Sequence, residues 1–487
     1  MSEDTPPDRA DQRPVSPGRI NWADWAKASS STSMIMNSSP PPAPRPGYSP
    51  GRNRRTAQPL NLRPCPGAVR NDPSTPVLFR PLMSRLSKTP RPAQRAEILN
   101  ARRQLKMARS AHAYVRGSTA KFYEWLDTAA GRRLPHGPAV WICGDCHVGN
   151  LGPVADARGR VAFQIRDLDQ TVIGNPAHDL IRLALSLAMA ARSSDLPGVT
   201  TARMLEAMIQ GYAEAMDDRA DEDNETARLP RSVAKLLRQA VRRKWSDLAE
   251  ERLKDVTPAI PLGPRFWALS PDERRQIETL VATPEMHGLI TALKTRDESD
   301  AVSLLDAAYW MKGCSSLGRL RYAALAGVGD EDHRAGGLCL LDIKEAIAAA
   351  APRAPNASMP RDNAQRVVEG ARHLSPNLGR RMLAARLNDR GVVVRELMPQ
   401  DLKLDMGQLK TGQAMRAARY LAGVVGVAHA RQMGLAARAE WSAALTRNGS
   451  KTLDAPSWLW TSVVDLVADH EAAYLEHCRR YALQAAA

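Results

Sequence analysis

The sequence predicts an α+β protein, helix-rich and large enough for one two-lobed domain. Three observations carry this expectation. The chain has 487 residues, 44% of them hydrophobic, which suffices for one large core or two to three ordinary ones. Long stretches such as AEILNARRQLKMARSAHAYVRG repeat apolar residues at the helical period. Shorter stretches, Ala139 to Cys143 and Val161 to Ile165, read as strands bounded by turn residues.

Residues 1 to about 75 carry Pro, Ser, Arg and Asn without hydrophobic periodicity, and a disordered tail is expected there. Helix is expected from about Gln94. The strand at Ala139 to Cys143 is followed by a hairpin in which Asp156-Ala157-Arg158-Gly159 supplies the turn chemistry. Asn175-Pro176 then reads as an N-cap and first-turn proline. Leu180, Leu183, Ala184 and Leu187 form the apolar face of the helix it starts. Residues 200 to 300 read as mostly helical and charged. MKGCSSLGRLRYAALAG is a Gly-rich turn joined to strand-like sequence, and LCLLDIKEA is a buried strand ending in Lys344 and Glu345. NAQRVVEGARHL is helical and GVVVREL is a strand. A long amphipathic helix carries Met415, Ala418, Leu421, Ala422, Val425 and Ala428 on one side, and a closing helix runs from Pro456 to Ala486.

Composition excludes several classes. No run of about 18 apolar residues occurs, so neither a membrane span nor a membrane partner is expected. The opening MSEDTPPDRADQRP has no apolar core of a secretory signal, which makes the cytoplasm the default location. Six scattered cysteines do not make a disulfide framework, and Cys143 and Cys146 read as buried thiols beside a functional turn. The net charge is +16, yet aromatic residues are only 5% and the arginines are spread along helices. A nucleic-acid interface is therefore not expected, whereas a phosphate-bearing ligand is compatible with the charge.

The chemistry concentrates in WICGDCHVGNLGPVADARGRVAFQIRDLDQTVIGNPAHDLIRLA, Trp141 to Ala184. Phosphoryl transfer is mostly positioning and charge neutralisation. It needs a carboxylate to orient the acceptor hydroxyl, oxygen ligands for magnesium, and a lysine with backbone amides for phosphates. Kinase catalytic loops separate the acceptor-side Asp from the metal-binding Asn by five residues and place a second metal Asp after a hairpin. Asp145, Asn150 and Asp167 reproduce that arrangement. The run from Asp167 through Gly174, Asn175, Pro176 and Asp179 resembles the small-molecule kinase pattern D-x-x-x-x-x-x-G-[DN]-P-x-x-D-L. That resemblance implies that Asp167 binds metal and that Asp179 braces the loop by accepting backbone hydrogen bonds. His147 is read as structural support without a proton-transfer role.

RGS at Arg116 to Ser118, GDCHVGNLG, RDLDQT, GCSSLGRLRY, DIKEA and VVVREL resemble, in this order, the bacterial "domain of unknown function 2252" family, from about residue 80 onward. Two departures stand out: Gln170 replaces an acidic residue, and Ser315 stands where a second glycine is usual. The family is thought kinase-like, of the aminoglycoside phosphotransferase type. That likeness implies that backbone around Gly313, Ser315, Ser316 and Gly318 covers phosphates, that Arg319 or Arg321 adds charge, and that Lys344, steadied by Glu369, contacts nucleotide. The Gly-rich turn and lysine follow the catalytic loop here, whereas an ordinary kinase has them first. The fold expected is therefore a two-lobed, protein-kinase-like fold, circularly permuted. Residues 76–300 would form a catalytic-loop segment with a helical insert, and 301–487 a nucleotide-lobe segment with C-terminal helices. A conventional arrangement would need the first lobe in residues 80–138, which read as helix and lack a Gly-rich loop.

The function expected is ATP- and magnesium-dependent phosphotransfer to a small-molecule acceptor. The alternatives are a catalytically silent nucleotide-binding regulator and adenylyl transfer on a kinase-like fold.

Overall fold

The helix that carries Asp179 begins where the sequence supplies a cap. Asn175 accepts a hydrogen bond from Ala177 N and Pro176 occupies the first turn, so a helix opens directly after the apolar loop. A computed structural model describes residues 90–194, 196–217, 229–243, 259–313, 317–329, 337–400, 402, 410–446 and 456–482. The N-terminal tail expected over residues 1–75 lies outside the described residues, as do Ser315 and Ser316.

The architecture is mixed α+β. In chain order it opens with α1 (Pro92–Met107), α2 (Ala111–Gly117) and α3 (Thr119–Leu126). Four short strands follow: β1 (Val140–Ile142), β2 (Leu151–Ala155), β3 (Val161–Ile165) and β4 (Val172–Gly174). Then come α4 (Pro176–Ser193), α5 (Gly198–Glu214), α6 (Arg231–Arg242), β5 (Phe266–Trp267), α7 (Pro271–Val281) and α8 (Pro284–Thr291). Strands β6 (Val302–Trp310), β7 (Arg321–Val328) and β8 (Leu338–Glu345) lead to helix α9 (Asn363–Leu374), then β9 (Met382–Leu387) and β10 (Arg390–Glu396). The chain closes with α10 (Thr411–Ala430), α11 (Leu435–Thr446) and α12 (Ser457–His477). No helix among the described residues is long and apolar enough to cross a membrane.

Strands β5 to β10 form one antiparallel sheet in the order β5-β6-β7-β8-β10-β9, while β1 pairs with β4 and β2 with β3. In β8 the side chains alternate between two faces. Leu341 and Ile343 join Tyr322 and Ala324 against Ile277 and Leu280 of α7 and Ile290 of α8. Asp342 and Lys344 point the other way, with Arg321 directly beside Lys344 in the neighbouring strand. The largest core is built on α4, α5 and α10, where Leu183, Leu187, Met208, Tyr212, Leu421 and Val425 are fully or almost fully buried.

Strands β4, β5, β6 and β9 are not anticipated by the sequence. VSLLDAAYW in β6 alternates weakly because its last four residues are all buried, and a strand covered on both faces loses the period-two signal. The closing helix runs to His477 and continues as a short π-helical turn to Ala482, and its expected end at Ala486 lies outside the described residues.

Candidate functional site

The loop between β1 and β2 is shaped by one glycine and one carboxylate. Gly144 has φ 72°, and a Cβ there would stand 2.1 Å from Gln170 O, so both the backbone conformation and the space demand glycine. Asp179, fully buried on the first turn of α4, accepts hydrogen bonds from Cys143 N at 2.7 Å and Gly144 N at 2.9 Å. His429, near the end of α10, places Nε2 3.2 Å from Asp179 Oδ2, and its Nδ1 lies 2.8 Å from the Tyr212 hydroxyl. Trp441 Nε1 donates to that hydroxyl at 3.1 Å. A buried polar chain thus runs from α11 through α5 and α10 to the loop, holding its backbone from behind.

Asp145 follows directly. Arg182 Nε donates to its Oδ1 at 2.9 Å, and Thr119 Oγ1 donates to its Oδ2 at 3.0 Å. Arg182 is fully buried in α4 and also donates to Val115 O at 2.6 Å. Burial raises the Asp145 pKa, against the opposing pull of Arg182 and Thr119. The His147 ring is buried with Nε2 3.9 Å from Asp145 Oδ2. Burial and the nearby Arg116 and Arg182 charges push it well below the ordinary histidine pKa, so it is neutral.

Asn150 ends a single 3₁₀ turn and donates from Nδ2 to Asp145 O at 3.0 Å. Its backbone carbonyl accepts from Arg166 N at 2.7 Å, extending the β2–β3 ladder by one rung. Asp167 is the next residue, so Asn150 and Asp167 stand at the same open end of that hairpin. Lys344, 177 residues away in sequence, brings Nζ to 3.3 Å from Asp167 Oδ1 and is also ion-paired to Asp169. Burial would raise the Asp167 pKa, but Lys344, Arg395 and Arg321 hold it well below the usual carboxylate range. Asp169 shifts upward instead, through burial and the Asp167 charge. The sheet side of this contact is braced by Asp342, which receives Arg321 Nε at 2.8 Å and lies 3.4 Å from Arg395. Arg395 in turn donates to Arg166 O at 3.0 Å, tying β10 to the hairpin end.

Glu369 corrects the sequence reading. It is not brought to Lys344 but pairs with Arg372 at 3.2 Å and His373 at 3.7 Å, with its side chain 36% exposed. The reason is the rotation of α9. Its inward face carries Arg366, which donates to Thr171 O, to Asp169 O at 3.1 Å and to Ile347 O at 2.8 Å. It also carries Gly370, where a Cβ would stand 2.4 Å from Thr171. Gly313 and Gly318 both adopt positive φ, at 91° and 94°, and Gly313 O accepts from Lys106 Nζ at 2.6 Å.

Sequence reasoning missed Thr119, Arg182, Arg366 and the His429–Tyr212 relay. Arg182 had a signal: a lone arginine inside LIRLALSLAMA, apolar all around, must be buried and must find an anion. Cys143 and Cys146 are buried free thiols, and Cys143 Sγ lies 3.5 Å from Asp167 O. Among the described residues no group of three or more His, Cys, Asp or Glu could hold a metal ion by itself. A cavity of about 900 Å³ lies on the opposite face of the sheet. The charges in its lining satisfy one another, with Arg95 2.6 Å from Glu273 and Tyr322 donating to the same carboxylate at 3.0 Å.

A family model described as "Uncharacterized protein conserved in bacteria (DUF2252)" matches residues 95–480. The chain belongs to this family. No curated protein and no solved structure matches it. The matched span of the DUF2252 protein holds the whole constellation, from Thr119 through Asp145 to Lys344 and His429.

Proposed function

We propose that this DUF2252 protein is an ATP- and magnesium-dependent phosphotransferase of kinase-like architecture acting on a small-molecule acceptor, with its chain circularly permuted. The observation that carries the reading is the contact of Lys344 with Asp167. In kinases a Gly-rich turn covers the phosphates, the phosphate lysine sits on the third strand, and a metal-binding Asp follows the catalytic loop. Here β6, the turn ending at Gly318, β7 and β8 succeed one another, and Lys344 is on the third of these strands. Permutation is supported at two joints. Gln432, just past α10, accepts from Trp141 N at 2.8 Å and donates to Trp141 O at 3.1 Å, so that helix abuts the strand leading to Asp145. At the other joint α12 packs on the chain's early helices, with Tyr474 donating to Ala108 O at 3.2 Å and His477 Nε2 2.8 Å from Gln104 O. Ends that lie together make rejoining physically cheap.

The donor set fits magnesium in part. Asn150 spends its Nδ2 on Asp145 O, which leaves the amide oxygen for a hard cation, and Asp167 adds a carboxylate held ionised. Magnesium sites with one or two protein ligands are completed by phosphate oxygens. When bound, the ion would neutralise charge on the transferring phosphoryl group. Lys344 exchanges its carboxylate partners for phosphate oxygens. Asp145, made more basic by burial, accepts the hydrogen of the acceptor hydroxyl, and Asp179 keeps the loop amides in place while it does so.

One observation favours a second reading. Both oxygens of Asp145 are already engaged, by Arg182 and Thr119, which suits a nucleotide-binding regulator without turnover. Purified protein with magnesium and ATP labelled at the α- or γ-phosphate decides. Release or transfer of the γ label, lost in Asp145→Asn and Lys344→Ala, supports phosphotransfer. Transfer of the α label points to adenylylation. Nucleotide binding without consumption under varied acceptors leaves the regulator, and full activity in both variants overturns the assigned roles.

A further inference from the structure

Beside Asp145 the protein gathers more positive and hydrogen-bonding groups than its own acids satisfy. His112 and Arg116 lie one turn apart on α2, a spacing that puts them on one face. Arg116 is pressed against the catalytic-type loop: a Cβ on Gly149 would stand 2.8 Å from its guanidinium. Arg182 and His147 approach Asp145 from its other sides, at 2.9 Å and 3.9 Å. Within this group, four buried nitrogens have no hydrogen-bond partner: His112 Nδ1, Arg116 Nε, His147 Nδ1 and Arg182 Nη1. His147 is 4% exposed and Arg182 is fully buried, so bulk water does not serve them. Leaving such groups unsatisfied is costly, so a ligand that pairs with them is favoured. The charges are unequal as well. Asp145 answers Arg182, while Arg116 has no acidic partner among the described residues.

We propose that Arg116, His112, His147 and Arg182 form an oxyanion subsite that holds a phosphate or carboxylate group of the acceptor beside Asp145. The inference rests on the phosphotransferase reading and names its substrate class: a small hydroxy compound carrying an oxyanion close to the hydroxyl that Asp145 addresses. The subsite lies on the Asp145 side of the loop, whereas Lys344, Asp167 and Asp169 serve the phosphate donor. A guanidinium and neutral imidazoles suit this task. Arginine matches carboxylate and phosphate geometry, and an imidazole N–H adds a directed donor without further charge repulsion. Burial, with the Arg116 and Arg182 charges added to it, holds His112 down to about 4 and His147 well below its ordinary value, and an anion would neutralise those charges.

Imidazole NMR of the full-length protein, labelled at histidine, tests this with inorganic phosphate and acetate as separate probes. Bound anion shifts the ring resonances of His112 and His147, and Arg116→Gln weakens the response about tenfold or more while Arg116→Lys recovers part of it. Lys344→Ala leaves the response in place, which separates this subsite from the donor site. A stronger response to phosphate assigns phosphomonoester acceptors, and a stronger response to acetate assigns carboxylates. No response to either anion, or an unchanged response in Arg116→Gln, overturns the subsite. Magnesium-ATP is titrated into the same samples. Nucleotide binding without an anion response removes this inference alone. An anion response in a protein that neither binds nor consumes nucleotide removes the acceptor assignment together with the phosphotransferase reading.

Discussion

Lys344 Nζ lies 3.3 Å from Asp167 Oδ1, joining strand β8 of the large sheet to the end of a hairpin 177 residues earlier. The contact pairs a cation with a carboxylate that both have further work in the proposed reaction. Lys344→Ala and Asp167→Asn should each lower ATP turnover about a hundredfold or more, because each removes a preorganised charge from the transferring group. Phosphate release under saturating nucleotide measures this, and turnover within twofold of the parent in either variant contradicts it.

The Asp145–Arg182 pair is a buried one, so removing only the cation strands an acid. Arg182→Met should destabilise the fold by about 3–5 kcal/mol in urea unfolding. The double variant with Asp145→Asn should cost less than the sum of the two single changes, since the pair is removed together. Strict additivity would show that the two side chains do not interact.

Asp179 serves two loop amides and His429 at once. Asparagine has one acceptor oxygen where aspartate has two, so Asp179→Asn should cost about 2–3 kcal/mol. The loss should localise. Hydrogen exchange at the Cys143 and Gly144 amides should quicken more than exchange in the six-stranded sheet.

Gly144 and Gly159 make a matched comparison, with φ of 72° and 75°. A Cβ at Gly144 meets Gln170 O at 2.1 Å, whereas nothing lies within 4 Å of one at Gly159. Gly159→Ala should cost only the backbone term, about 1 kcal/mol. Gly144→Ala should cost about 3 kcal/mol or more, because the loop must also move off Gln170. Thermal unfolding of the two variants side by side reads the difference.

Burial holds His112, His178 and His470 down to about 4. In the unfolded chain each titrates near 6.5. Between these values the unfolded state binds protons that the folded state refuses, so stability falls as pH drops from about 6.5 to about 4, and this contribution is flat above about 7. Each histidine adds on the order of 3 kcal/mol to the change. Denaturant midpoints at stepped pH measure the slope, and His470→Gln should flatten it.

Much of the site was legible because its spacing is local. Asp145 and Asn150 share one loop, the hairpin turn at Asp156 to Gly159 sets their distance from Asp167, and Asn175-Pro176 starts the helix that carries Asp179. These relations depend on backbone propensities and turn chemistry within a few residues, which one sequence records directly. The partner of Lys344 was not legible in the same way. Glu369 sits at a reasonable distance along the chain, yet α9 turns Arg366 and Gly370 inward and leaves that glutamate with Arg372.

By itself, then, the sequence determined the α+β composition, the capped helix after the loop and the set of chemically loaded side chains. Only the tertiary structure decided that Asp167 and Asp169 meet Lys344, that Arg182 pins Asp145, and that Arg116 stands against Gly149 without an acid of its own. The physical reason is desolvation. A charged side chain inside the protein takes whichever partner is buried with it, and burial is settled by the packing of distant segments, not by the neighbours a residue has along the chain.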